Sequence, residues 1–182
     1  MRDVPSSPSK FSAIQMTANS QIAVRPARPD DADALCDLLN EIIARGGTTA
    51  FQKILTPNEF SKMYLENQRT VSCFVACHVD GTRLGFQHVD SNPKLPDDWV
   101  DIATFAKVNS PVRGVGTALF QETRRAASEA GFAAINATIR ADNVSGLGYY
   151  SKMGFIDYAV AEAVPLRDGT PVDRISKKYL LK

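Results

Sequence analysis

The run Arg113-Gly114-Val115-Gly116-Thr117 passes straight into Ala118-Leu119-Phe120, so a glycine turn leads into a segment with helical apolar spacing. Glycines there let the backbone approach a ligand closely, and the open amides and positive dipole end of the following helix favour a phosphate. A phosphate-binding ATPase loop would need Lys and then Ser or Thr after its last glycine, where this chain has Thr117 and Ala118. A dinucleotide loop would need a third glycine and an acid at the end of the next strand, where Arg140 stands. A plain strand-to-helix turn accounts for the glycines equally well. Further on, Asn143-Val144-Ser145-Gly146-Leu147-Gly148-Tyr149-Tyr150 sets an Asn at a helix start and a Tyr two turns later. Taken singly, Asn143 reads as an N-cap and Tyr150 as core. The three cysteines Cys36, Cys73 and Cys77 are odd in number and read as reduced thiols. In CFVACH, strand alternation places Cys73, Val75 and Cys77 on one face and His78 on the other, which argues against a metal site.

These segments need a scaffold, and the apolar pattern supplies one. A short strand starts at Ile22, a turn punctuated by Pro26 and Pro29 follows, and Leu35, Leu38, Leu39, Ile42 and Ile43 recur at helical spacing before Gly46 and Gly47 stop the helix. Thr56, Pro57 and Glu59 form a capping box for a second helix with its body over Phe60 to Asn67. Asp80 and Gly81 turn a hairpin between VSCFVACHV and RLGFQHV, and Trp99 to Val108 is a further strand. The glycine turn opens a helix that stops at Gly131. AAINATIR is a strand, a short helix ends at Gly154, and two strands flank RDGT. The expected fold is therefore α/β (α+β), a single domain over 21–182 with a mixed, mostly antiparallel twisted sheet of about seven strands and about four helices. Residues 1–20, rich in Ser and Pro, read as a flexible tail.

The glycine turn and the Asn–Tyr segment together resemble the acetyl-CoA signature of the GCN5-related N-acetyltransferase (GNAT) superfamily: Q/R-x-x-G-x-G/A at a helix head, then N-x-x-A-x-x-x-Y and a closing Gly-Phe. Asn143, Tyr150, Gly154 and Phe155 match, with Gly146 in the place of the usual small residue. Gly114 and Gly116 align as the signature glycines, which puts Pro111 where Gln or Arg is usual. The layout and GGTTAF at 46–51 are most similar to the phosphinothricin acetyltransferase group. The resemblance implies acetyl-CoA as co-substrate, no metal, small amines or amino acids as acceptors, and a homodimer. It implies a pantetheine arm along Thr104, Phe105 and Ala106, and a pyrophosphate on the amides of Val112, Arg113, Gly114, Val115, Gly116 and Thr117. Asn143 would hold the arm and Tyr150 would donate a proton to the leaving thiolate. Asp101, the acid on the strand before the glycine turn, is the expected base, with Glu41 and His88 as competitors.

With 182 residues, 44% of them hydrophobic and a net charge of +1, the chain lacks the basic footprint of a duplex-binding protein, so no nucleic-acid partner is expected. No apolar run approaches the roughly 18 residues that cross a bilayer, so no membrane partner is expected either, and the cytoplasm is the expected location. A non-catalytic acyl-CoA-binding module and a protein N-acetyltransferase are the alternatives to a small-molecule enzyme.

Overall fold

The computed structural model describes residues 21–181; the expected tail at 1–20 lies outside them. Seven strands, β1 (Ile22–Pro26), β2 (Thr70–His78), β3 (Arg83–Asp90), β4 (Trp99–Ala106), β5 (Ala134–Arg140), β6 (Ile156–Pro165) and β7 (Pro171–Leu180), form one sheet in the order β1-β2-β3-β4-β5-β7-β6. Four helices accompany them: α1 (Ala32–Arg45), α2 (Pro57–Phe60), α3 (Val115–Glu129) and α4 (Val144–Lys152). Every strand pairing is antiparallel except β4 with β5, and the crossover between those two is α3. A helical crossover is what a parallel pair requires.

Each helix follows from local chemistry. In α1, Leu35, Leu38, Leu39, Ile42 and Ile43 are all buried, and the chain leaves the helix at Gly46 with φ +71°. The capping box ahead of α2 forms as expected: Thr56 Oγ1 accepts from the Glu59 amide at 3.2 Å, and the Glu59 carboxylate accepts from the Thr56 amide at 2.7 Å. The expected body of that helix shortens, because after Phe60 the chain widens into a π-helical turn over Ser61–Leu65 that buries Tyr64. β4 ends at Ala106 instead of Val108.

The sheet is covered on both faces. On one, α1 and α2 pack Leu35, Leu39 and Phe60 against Val75, Phe86 and Phe105. On the other, α3 and α4 pack Leu119, Phe120 and Tyr150 against strand residues including Phe74, Val100 and Ile135. Cys73 and Cys77 both belong to the first face, as alternation requires, and burial pushes the Cys73 thiol up to about 12. All three cysteines are free.

One buried charge braces the edge of this scaffold. The Asp31 side chain, 1% exposed, accepts two hydrogen bonds from Arg25 at 2.7 and 2.9 Å, one from the Arg28 amide at 2.9 Å and one from Arg83 at 3.0 Å. Burial alone would raise its pKa, but the hydrogen bonds from Arg25, Arg28 and Arg83 outweigh it and hold the carboxyl at about 2. The start of α1 is thereby pinned to β1 and β3.

Candidate active site

β4 and β5 pair at only three positions, Trp99↔Ala134, Val100↔Ile135 and Asp101↔Asn136. Beyond them β4 stays with β3 as far as Ala106, and β5 stays with β7 as far as Arg140. Two neighbouring strands that each remain with their outer partner but leave one another must diverge. From Ile102 to Ala106 one edge of β4 therefore has no strand beside it. The gap is a cleft of about 670 Å³ that cuts through the sheet and is lined from both of its faces.

On the α3 and α4 face, the lining comes from Thr104, Gly116, Asn143, Gly146, Tyr149 and Tyr150. Gly114 caps α3 at φ +86°, a conformation that disfavours any other residue. The first intrahelical bond runs from the Ala118 amide to Gly114 O at 2.9 Å, so the amides of Val115, Gly116 and Thr117 precede the helical ladder. Of the expected phosphate-binding amides, that of Val112 is taken by Ser110 Oγ at 3.2 Å. Arg113 is exposed. Gly116 is glycine for a different reason from Gly114: a Cβ there would lie 2.6 Å from Tyr149 Cε2. Its carbonyl accepts from the Tyr149 hydroxyl at 2.8 Å, which fixes α4 onto the head of α3.

Asn143 is the N-cap of α4, accepting from the Gly146 amide at 2.9 Å, and its Nδ2 donates to Thr48 O at 2.9 Å. Gly146 belongs to the same arrangement, since a Cβ on it would stand 2.5 Å from Asn143 Nδ2. The Tyr150 hydroxyl lies 2.9 Å from Thr104 Oγ1, and burial pushes its pKa far above the ordinary tyrosine range, so it stays protonated. Gln87, a residue the sequence did not single out, donates from Nε2 to Thr104 Oγ1 at 2.8 Å and to the Tyr149 hydroxyl at 3.2 Å.

The opposite face has another character. Strand pairing puts Asp101, Asn136, Thr138 and Arg140 on the α1 side, and Arg174 stands directly across from Arg140 on β7. Arg140 donates to Asp142 through Nε at 2.8 Å and Nη2 at 2.5 Å, and to Thr49 O at 3.0 Å. Arg174 donates to Val172 O at 3.3 Å, and burial followed by the Arg140 charge lowers its pKa. Among the described residues, the charged side chains that line the cleft are Arg45, Arg140 and Arg174. The α1–α2 loop, tied down through Thr48 and Thr49, roofs this side.

None of the three expected bases lines the cleft. Asp101 stands on the α1 side where β4 and β5 last pair, its two oxygens accepting from Asn136 at 2.7 Å and Asn92 at 3.1 Å. His88 packs edge-on against Tyr64, lies 2.9 Å from Thr70 Oγ1, and is held neutral by burial, which lowers its pKa to about 4. Glu41 is exposed on α1. No group of metal-ligating side chains occurs among the described residues, and no helix there is long and apolar enough to cross a membrane.

No family profile and no curated protein matches the chain by sequence. Solved structures do match by shape. An N-acetyltransferase from Staphylococcus aureus Mu50 superposes with a TM-score of 0.80 over 90% of this chain and 100% of its own, at 21% identity. A GNAT superfamily phosphinothricin acetyltransferase from Sinorhizobium meliloti, solved in complex with acetyl-CoA, gives 0.77 over 88% and 89% at 18% identity. A ribosomal-protein-alanine N-acetyltransferase from Brucella melitensis gives 0.78 over 87% and 99%, also at 18% identity. With the strand order, the parallel β4–β5 pair and the cleft beyond it, these likenesses establish that the chain has the GCN5-related N-acetyltransferase fold.

Proposed function

We propose that the protein transfers an acetyl group from acetyl-CoA to the amine of a small molecule, an amino acid or amino-acid-like amine. The observation that carries this reading is a cleft lined from both faces of the sheet, hydroxyl-rich on one and arginine-lined on the other. A donor and an acceptor can enter such a cleft from opposite sides and meet between β4 and β5.

The residues present fit the donor. The free edge of Thr104, Phe105 and Ala106 offers an extended arm the pairing that β5 withholds. The amides of Val115, Gly116 and Thr117, with the α3 dipole behind them and Arg113 beside them, suit a pyrophosphate. Asn143 keeps a second Nδ2 proton for the arm. Acetyl-CoA supplies an acyl group activated as a thioester. Tyr150 holds its proton for the departing sulfur, because burial keeps the hydroxyl un-ionised.

On the acceptor face, Arg174 and Arg140 suit the anionic end of an amino acid, and the same positive charge disfavours the ammonium form of its amine. Deprotonation thus demands little of a side chain. Asp101 takes the proton through water, its oxygens being already engaged by Asn92 and Asn136. The roof formed by Thr48 and Thr49 supports a small acceptor over an extended protein tail. Free thiols fit the cytoplasm, and Ile156, Tyr158 and Val160, exposed on the edge strand β6, fit a homodimer.

The test is melting temperature with and without acetyl-CoA, then thiol release across a panel of amino acids and amines. A rise that Gly114→Glu abolishes is expected, with release from at least one amino acid. A rise without release from any acceptor would mark a non-catalytic acyl-CoA-binding module, and no rise would sink the acetyl-CoA reading.

A further inference from the structure

We propose that Gln87 is a positioning residue for Tyr150, acting through Thr104 to free the Tyr150 proton for the cleft; this rests on the acetyl-transfer reading above. Gln87 sits mid-strand in β3 with 0% exposure, among the largest fully buried side chains of the molecule. Its amide orientation is fixed by its neighbours. The Tyr149 hydroxyl gives its proton to Gly116 O at 2.8 Å, so it can only accept from Gln87, and the Nε2 contact at 3.2 Å is a donation by the amide. The second Nε2 proton goes to Thr104 Oγ1 at 2.8 Å.

Thr104 then has its own proton to place, and the Tyr150 oxygen is 2.9 Å away. In this proposal donation runs from Gln87 N–H to Thr104 and then from Thr104 O–H to the Tyr150 oxygen, one of the two directions that the 2.9 Å contact allows. The Tyr150 proton is left over, on a side chain that lines the cleft. When the C–S bond breaks, the Tyr150 O–H bond breaks and an S–H bond forms. The phenolate left behind is held by the Thr104 hydroxyl until it regains a proton from water.

The arrangement leaves a flaw that packing alone does not explain. With both amide protons used on hydroxyls, Gln87 Oε1 is buried without a hydrogen-bond partner among the described residues. A methionine of similar shape would fill the place without an orphaned carbonyl. A buried polar side chain that carries that cost serves to place its neighbours. The other branch, through Tyr149 to Gly116 O, ties the same amide to the head of α3. One side chain thus registers the proton donor against the first turn of that helix.

The experiment is a double-mutant cycle between Gln87→Met and Tyr150→Phe, read as kcat, KM for acetyl-CoA and melting temperature. In the wild-type background, Gln87→Met is expected to lower kcat about 10-fold, a fraction of a general acid's usual contribution. The KM for acetyl-CoA should stay within about two-fold and the melting temperature should hold or rise. In the Tyr150→Phe background the same substitution should change kcat by less than about two-fold. Gln87→Glu adds a second readout: its activity should recover toward low pH, as the carboxyl gains a proton it can donate, in a limb the wild type lacks. A loss of kcat that persists undiminished in the Tyr150→Phe background would overturn the proposal, as would a fall in melting temperature that accounts for the lost activity. Absence of acetyl-CoA-dependent thiol release from the wild type would instead overturn the reading beneath it.

Discussion

Two buried polar clusters brace this molecule, and they are built on opposite logics. Around Asp31, a full negative charge is met by two arginines and an amide, and none of Asp31, Arg25 and Arg83 lines the cleft. Around Gln87, four neutral side chains share hydrogen bonds at the wall of the cleft, and one buried carbonyl goes without. The first is saturated, which is what a brace needs, since an unpaired buried charge is among the costliest defects a fold can carry. The second tolerates a defect where rearranging it would misplace two tyrosines. A buried polar cluster that is fully satisfied and remote from any cavity speaks for stability. One that is incomplete at a cavity wall speaks for chemistry.

That contrast can be broken from either side. Asp31→Ala should cost the most stability, about 3 to 5 kcal/mol by urea denaturation, because it strands Arg25 and Arg83. Thiol release per folded molecule should be unchanged. The Asp31 carboxyl is held at about 2 against an ordinary 3.8, so its contribution is complete above pH 3.8 and is lost as pH falls through about 2. The gap between wild type and variant should therefore narrow in strong acid by up to about 2.4 kcal/mol. A gap undiminished at pH 1.5 would mean that packing, and not charge, makes the brace.

Tyr150→Phe probes the other cluster. It should lower kcat roughly 100-fold while leaving the acetyl-CoA-induced rise in melting temperature intact. A lost rise would move Tyr150 from proton donation to binding. Gly116→Ala forces a Cβ to within 2.6 Å of the Tyr149 ring and should cost about 1 to 3 kcal/mol in thermal unfolding. Unlike Asp31→Ala, it should also lower turnover, since Tyr149 is part of the cluster. Asn143→Ala removes the α4 cap and should have the smallest effect on stability, about 1 kcal/mol. If its acetyl-CoA affinity equals that of wild type, Asn143 is a cap and nothing more.

Much of the scaffold was legible because it is written in local periodicity. The leucines and isoleucines of α1, the capping box at Thr56 and the turn at Asp80-Gly81 each carry their element in a few residues. The reach of the second helix was not, because nothing local distinguishes a π-helical turn at Ser61–Leu65 from one more α turn. The cleft is also invisible along the chain, being a property of register between β4 and β5. Gln87 escaped notice for a related reason. A glutamine in LGFQHVD reads as a strand's solvent side, but this strand is covered on both faces and has none. Gly116 was legible as a residue and not as a reason: it makes room for Tyr149. The acceptor face was out of reach because the residues that shape it, Arg140, Arg174 and the α1–α2 loop, meet only in three dimensions.

The three-position pairing of β4 with β5 makes the sheet two rafts held by a short weld. β1 to β4 form one raft and β5, β7 and β6 the other, each stitched by long antiparallel ladders. Residues of both rafts line the cleft along the length the weld omits, so a molecule lodged there would act as a rivet. Pulled apart across the strands, the empty protein should part at the weld, and the occupied one should hold to a higher force. Occupancy would then be readable as mechanical strength.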